Sequence, residues 1–352
     1  MNEIVWNHLV PVLESQEHTR KRILITLVLI SATIFIGLII HFYQYLTKDF
    51  FLSKPCIVIY VILILLLCYM CYEPFNLKYS YDEISIPGKT CLKNPLIIVH
   101  LSDIHLQWPY PYVTEKTIEK IVSKINNEIH PDFVFLTGDY ISRFRTDSIS
   151  SSNVEALSRG LKGLHAKRGV YAILGNNDYH ALKYILKMFE SSDITLLRNE
   201  SVIVDIDDNE NSNVKNQVLI AGIDPSRSLQ IAEKRINELK IDLDMPPNVL
   251  KILLSHEPDV AVVSSNYGFD LQLSGHSHGG QCVLPFGLGP IIVPTMGWRF
   301  PLGLYKVKQM LLFVSSGIGI SPLPKPLVRF NNRPEVPILK LVPEGSNDKK
   351  TK

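Results

Sequence analysis

Five times along this 352-residue chain a run of apolar residues stops and a side chain able to bind metal follows at once. The series is Ile97-Ile98-Val99-His100-Leu101-Ser102-Asp103-Ile104-His105, Phe133-Val134-Phe135-Leu136-Thr137-Gly138-Asp139, Tyr171-Ala172-Ile173-Leu174-Gly175-Asn176-Asn177-Asp178, Ile252-Leu253-Leu254-Ser255-His256, and Leu271-Gln272-Leu273-Ser274-Gly275-His276-Ser277-His278. Together these stretches offer two aspartates, three or four histidines and an asparagine. Mixed oxygen and nitrogen donors without a thiolate suit Mn²⁺, Fe or Zn²⁺ rather than copper or an iron–sulfur cluster. One ion takes about four to six donors, so the set points to two divalent ions sharing a carboxylate. Asp139, a lone acid in the central segment, is the natural bridge. Two ions roughly 3.5–4 Å apart clamp the attacking and leaving oxygens of a phosphoryl displacement and lower the pKa of a water to make hydroxide.

Donors so far apart in sequence must be gathered by a scaffold, and the hydrophobic pattern describes one. Short apolar runs at 95–101, 133–137 and 170–174 read as buried strands, separated by helical periodicities over 114–130, 153–165 and 179–191. In the first helix Ile118, Ile121, Val122, Ile125 and Ile129 share a face, with Thr114 as N-cap and Glu115 in the first turn. Further strands are expected at 218–222, 250–254, 269–273, 310–314 and 336–342, with one helix over 229–239; 205–216 reads as a solvated loop. This alternation predicts an α/β domain, and in open α/β sheets ligands bind beyond the carboxyl ends of the strands. All five polar stretches fall at such ends. At the last of them Gly275, Gly279 and Gly280 flank two imidazoles and let backbone and ligand approach closely.

The net charge of +2 is close to neutral, so nothing in the totals suggests a nucleic-acid binder. The five cysteines form neither metal-finger spacing nor an even-numbered disulfide framework, which fits a reducing compartment. Residues 23–40 and 56–72 are uncharged runs, 18 and 17 long. As helices each would cover roughly 26 Å, and they read as a transmembrane hairpin. Arg20, Lys21 and Arg22 precede it, Lys78, Lys89 and Lys93 follow it, and only Lys48 and Lys54 lie between, so both termini are expected inside. The expected domains are an N-terminal cytoplasmic segment (1–22), the membrane hairpin (23–72), a linker (73–94), the α/β domain (95–342) and a frayed tail (343–352).

Asp103-x-His105, Gly138-Asp139, Gly175-Asn176-Asn177-Asp178, His256 and Gly275-His276-x-His278 resemble the ordered motifs of the calcineurin-like metallophosphoesterases over about residues 95–342. The resemblance implies a four-layer α/β/β/α sandwich. It implies one ion, Mn²⁺ by preference, on Asp103, His105, Asp139 and His278, and a second on Asp139, Asn176, His256 and His276. It makes Asp139, Asn176, Asn177, Asp178 and His276 the expected catalytic set. A relict scaffold would have lost donors, and here every donor position is retained. One position departs from the family pattern: its third motif usually reads Gly-Asn-His-Asp, and Asn177 stands where that histidine assists the leaving group. A phosphomonoester leaving group, with a second pKa of about 6, needs no such acid, whereas an alkoxide does. His180 is a candidate replacement.

The Gly-His-Ser-His-Gly-Gly-Gln stretch and the ending Arg329-Phe330 with Pro334-Glu335-Val336 resemble the membrane-associated bacterial branch. That implies a multi-pass inner-membrane enzyme with its catalytic domain on the cytoplasmic face. Its substrate would be a lipid-linked nucleotide, UDP-2,3-diacylglucosamine, cleaved to 2,3-diacylglucosamine 1-phosphate and UMP in lipid A biosynthesis. Membrane lipids are the other expected partner and nucleic acid is not one; the alternative is a phosphodiesterase of broader specificity. Asn177 and Arg329 are the expected substrate contacts. Arg143, Arg145 and Arg168 are weaker phosphate-binding candidates, 298–302 and 322–330 are candidates for holding acyl chains or headgroups, and His100 is expected to be a satisfied core histidine.

Overall fold

The computed structural model describes residues 54–343 apart from positions 90, 91, 93, 107–111, 143–146, 208–215, 242–244, 247, 286–287, 291–292 and 322–327. The first apolar run, 23–40, the basic cluster at 20–22, Lys93, Arg143, Arg145 and the expected tail from 344 lie outside the described residues. The chain divides into two compact units after Tyr72.

In the first unit, α1 (Lys54–Tyr72) is a 19-residue helix. Its uncharged part, 56–72, rises about 26 Å at 1.5 Å per residue, short of a hydrocarbon core of about 30 Å. Among the described residues no helix is long and apolar enough to cross a membrane, so the expected two-helix hairpin is not established. What α1 does show is an apolar surface turned outward, with Ile62, Ile64 and Leu65 all exposed.

The second unit is built on two six-stranded sheets. The first runs β1 (Lys78–Ile86), β14 (Glu335–Pro343), β2 (Leu96–Leu101), β3 (Phe133–Leu136), β4 (Val170–Ala172) and β5 (Ile194–Leu196). Strands β2 to β5 are parallel, and β14 is antiparallel to β2 and parallel to β1. The second runs β12 (Gly303–Val307), β13 (Met310–Val314), β9 (Leu271–Ser274), β8 (Val249–Leu254), β7 (Gln217–Gly222) and β6 (Glu200–Asp205), parallel from β13 to β7 with antiparallel edges. β10 (Val283–Leu284) and β11 (Gly289–Pro290) form a small separate hairpin.

The period-2 pattern divides each strand between two cores. Ile98, Phe133, Phe135 and Leu339 from the first sheet meet Ile252, Leu254, Leu271 and Leu273 from the second, all of them buried. Each such side chain contributes roughly 1.5–3 kcal/mol. The intervening residues Val99, Val134 and Leu136 face outward onto α2 (Glu115–Lys124), α3 (Asp147–Leu161) and α4 (Leu182–Glu190), packing with Ile118, Leu157 and Ile185. On the second sheet α5 (Leu229–Glu238) bridges parallel β7 and β8 and buries Ala232 and Ile236, and the single-turn α6 (Ala261–Ser264) follows β8. The layers are therefore α/β/β/α.

Thr114 caps α2 as expected: its hydroxyl accepts from the Thr117 amide and Thr117 answers with its own side chain. α3 starts six residues before the expected position, at Asp147. The stretch 73–94 is not a plain linker, because β1 pairs along its whole length with β14. It is an edge strand that buries only Ile84 and Ile86, and its exposed Asp82 and Glu83 hide the alternation.

Candidate metal centre

The carboxyl ends of β2, β3 and β4 in one sheet and of β8 and β9 in the other meet at one place. The turns that follow are locked to each other by backbone: the Asp103 amide donates to Gly138 O, the His105 amide to Asp139 O and the Gly275 amide to His256 O. Two glycines permit this proximity. A Cβ on Gly175 would stand 2.2 Å from the Asp139 nitrogen, and one on Gly275 would stand 1.8 Å from Ser102 Oγ and 2.1 Å from Asp103 Oδ2. Asp103, His105, Asp139, His276 and His278 all adopt left-handed φ, between 46° and 66°. Each costs on the order of 1 kcal/mol for a side chain with a Cβ, and the interlocked turns hold them there.

The donors converge in two groups, in each of which the ligand atoms lie within 4.8 Å of one another: Asp103 with His105 and His278, and Asp103 with Asp139 and His256. In the first, His105 Nε2 and His278 Nε2 are 3.1 Å apart, and Asp103 Oδ1 is 3.3 Å from His278. Asp139 Oδ2, in the second group, lies 3.4 Å from both His256 Nε2 and His105 Nε2 and so reaches a ligand of the first. His276 Nδ1 lies 3.3 Å from His256 Nε2. Two nitrogens on a common ion at roughly 2.1 Å stand about 3.0–3.4 Å apart, so both imidazole pairs have the spacing of metal ligands. Asn176, on the turn after β4 next to Gly175, has an Oδ1 that is buried and has no hydrogen-bond partner.

The outward nitrogens decide the tautomers. His256 Nδ1 donates to Thr137 O at 2.7 Å and His276 Nε2 donates to Thr295 O at 2.8 Å. Since a carbonyl only accepts, the proton of each neutral ring is on the outside and its lone pair points inward. Burial pulls His276 down to about 4 and holds His105 and His278 below the ordinary histidine range, so these rings are neutral at pH 7. Burial also opposes charge on His256, but Asp139 outweighs it and raises that imidazole well above its ordinary value. Conversely, burial pushes the Asp139 carboxyl up, yet the charge and hydrogen bond of His256, then His105 and the Asn177 amide, hold it well below the carboxylate range. The space among Asp139, His256 and His276 thus demands positive charge, which a proton or a divalent cation can supply. The donor chemistry, the spacing and the orphaned Asn176 oxygen all fit the cation.

Around this centre, Asp178 is wholly buried and accepts from the amides of Gly175, Asp139 and Tyr140, tying the β3 and β4 turns together. Burial and the neighbouring Asp139 charge push it up to about 8. It is a scaffold for Asp139. Asn177 donates its side-chain N–H to Asp139 Oδ2 at 2.6 Å and its backbone N–H to Oδ1 at 2.7 Å. His180 is exposed on the turn that leads into α4. His100 is a satisfied core histidine at one nitrogen: its Nε2 donates to Thr137 Oγ1, Thr137 to Ser102 Oγ, and Ser102 to Asp103 Oδ2. Burial drops it to about 3.

Two candidates are corrected. Arg329 does not face a substrate: it is completely buried, and its guanidinium donates to the carbonyls of Ser316, Gly317, Gly319 and Asn332. Arg168 lies at the opposite end of β4, beside Asp132 and bonded to Asp205 O. Of the lipid-contact candidates, Phe300 and Val328 are buried, Arg299 pairs with Asp259, and 322–327 lies outside the described residues. Sequence reasoning passed over Thr295, which fixes the His276 tautomer, and the Ser315–Gly319 turn, whose amides donate to Ser102 O and Asp103 O. The second carried a signal, for it too follows an apolar run, β13.

The family of calcineurin-like phosphoesterases matches residues 96–280. The chain is 30% identical to the uncharacterized metallophosphoesterase YkuE of Bacillus subtilis over 248 residues, 69% of this chain and 78% of that protein. It is 25% identical to the UDP-2,3-diacylglucosamine pyrophosphatase LpxG of Chlamydia trachomatis, covering 77% of this chain and 91% of that one. A transmembrane protein with metallophosphoesterase domain from Danio rerio is 28% identical over 69% of this chain and 52% of its own length. With the family's motifs seated at the strand ends of an α/β/β/α sandwich, this chain belongs to the calcineurin-like phosphoesterases, metal-dependent hydrolases of phosphate ester or anhydride bonds.

Proposed function

We propose that this protein is a two-metal pyrophosphatase acting on UDP-2,3-diacylglucosamine, releasing 2,3-diacylglucosamine 1-phosphate and UMP. The observation that carries the reading is the carboxamide of Asn177, bonded to Asp139 at the position where a leaving-group acid would stand. An amide has no proton to give at neutral pH. A phosphate leaving group departs as a stable anion without one, and an alkoxide does not. The likeness to a protein named for that pyrophosphatase activity supports the substrate.

Asp103, His105, Asp139 and His278 would hold one ion and Asp139, Asn176, His256 and His276 the other, with Mn²⁺ the proposed metal. Bound there, two divalent ions supply Lewis acidity toward a phosphate oxygen and an ionised water as nucleophile. The protein's own part is orientation. Thr137 O and Thr295 O fix the imidazoles, Asp178 fixes the Asp139 backbone, and Asn177 holds the Asp139 carboxylate while keeping a second amide hydrogen for a substrate oxygen.

A lipid-linked substrate implies attachment to a membrane. We place the protein at a bacterial inner membrane with the hydrolase domain on the cytoplasmic side. The apolar side chains exposed on α1, the uncharged run at 23–40 and the flanking basic residues support this, as does the name of the Danio rerio relative. The test is a comparison of purified protein with Mn²⁺ on UDP-2,3-diacylglucosamine and on bis-p-nitrophenyl phosphate. The proposal expects preference for the first substrate; preference for the second makes the protein a general phosphodiesterase.

A further inference from the structure

We propose that Arg329 is the positioning residue for one of the two metal sites, that of Asp103, His105 and His278, and that it braces this site from both sheets at once. The inference rests on the two-metal reading. Arg329 carries a full charge into the interior with no carboxylate in hydrogen-bond contact among the described residues. Burial lowers it only to about 10, so it stays a cation.

Its four acceptors are carbonyls on two segments, and each segment leads to a ligand. Nη2 donates to Ser316 O, Gly317 O and Gly319 O at 2.7, 3.2 and 2.6 Å. That turn in turn donates from Ile318 N to Ser102 O and from Gly319 N to Asp103 O, at 3.0 and 2.7 Å. The fit is close: a Cβ on Gly317 would sit 2.7 Å from Asp103 Cβ, and one on Gly319 would sit 2.2 Å from Ile104 O. On the other side Nη1 donates to Asn332 O at 3.2 Å, and Asn332 Nδ2 donates to His278 O at 2.6 Å. One planar guanidinium therefore sets the Asp103–His105 turn of the first sheet against the His278 turn of the second. A lysine has the charge without the fork and cannot span four carbonyls on two segments. Both bond paths end on Asp103 and His278; His276 is reached only one step further, through its amide's bond to the Asp103 carboxylate at 2.9 Å, so the brace bears first on the site of Asp103, His105 and His278.

The experiment is Mn²⁺ titration of the full-length apoprotein, followed by electron paramagnetic resonance of free ion, for wild type, Arg329→Lys and Asn332→Ala. Wild type is expected to bind two ions. Losing a group that holds metal ligands costs about 10–100-fold in affinity. Arg329→Lys should weaken one site by that factor and leave the other within about threefold, and millimolar Mn²⁺ should restore hydrolysis. Asn332→Ala should weaken the same site by about 10-fold. The untouched site reports an intact fold. Equal loss at both sites in a folded variant, or no loss at either, overturns the proposal. If Arg329→Lys does not fold, Asn332→Ala decides, and unchanged titration there overturns it. Fewer than two ions on wild type would instead overturn the two-metal reading.

Discussion

Gly275→Ala adds one methyl group at the point where the two sheets' catalytic turns touch. The backbone of Gly275 is not left-handed, so alanine meets no conformational penalty and the effect is steric alone. The new Cβ would lie 1.8 Å from Ser102 Oγ and 2.1 Å from Asp103 Oδ2, and ordinary contact begins near 3.4 Å. The Asp103 carboxylate must therefore retreat by more than an ångström. It is tied in place by hydrogen bonds from Ser102 Oγ and the His276 amide, so it cannot do so freely. Overpacking of this kind costs about 1–3 kcal/mol, or a melting temperature lower by roughly 2–4 °C per kcal/mol for a domain of this size. A displacement of about 1 Å in a reacting assembly costs about 100-fold in rate. The expected result is kcat/KM down at least about 100-fold with a modest loss of stability. Gly163→Ala is the control: φ is +78° and nothing lies within 4 Å of its Cβ, so it should cost roughly 1 kcal/mol and no activity. Steady-state kinetics, thermal melts and bound-metal analysis on both variants give the answer. Wild-type kcat/KM and metal content in Gly275→Ala would refute the packing argument.

His105→Ala or His278→Ala should abolish hydrolysis while circular dichroism stays that of wild type; unchanged turnover in both would remove the metal centre from the chemistry. Asn177→His restores an ionisable group beside Asp139 and should raise turnover of a dialkyl phosphodiester, whose alkoxide leaving group needs an acid, relative to UDP-2,3-diacylglucosamine by about 10-fold or more, within the usual range for an acid catalyst. A ratio that does not move would detach the leaving-group argument from this residue. His100 has a folded pKa of about 3 against 6.5 unfolded, so below 6.5 the unfolded chain takes a proton that the folded one refuses. Stability is fully present above pH 6.5 and is lost as pH falls toward 3, by about 2.5 kcal/mol between pH 7 and 4.5. Urea unfolding of His100→Leu should show a decline smaller by that amount, and an equal decline would contradict the assignment.

The site was more legible in the sequence than the fold around it. Asp103, His105, Asp139, Asn176, His256, His276 and His278 each follow a buried strand, and strand ends are where an α/β sheet presents side chains to a ligand. Nothing in a period-2 pattern says which sheet a strand joins. That Asp139 comes from one sheet and His256 from the other emerges only from the pairing of β3 with β2 and of β8 with β7. β1 has a weak sequence signal because an edge strand wets one face and carries charges. The role of Arg329 is hidden for a related reason: an arginine near phosphate-binding motifs suggests a phosphate contact, and the carbonyls that claim it, at 316, 317, 319 and 332, are backbone atoms with no residue-type signature.

The central claim is that Asp139 stands between two ions, and anomalous diffraction tests it most directly. Crystals of the full-length protein grown with Mn²⁺ and measured across the manganese edge should show two peaks about 3.5–4 Å apart, both within bonding distance of Asp139. A single peak, or none, with the Asp139, His256 and His276 side chains left bonded to one another, would contradict it.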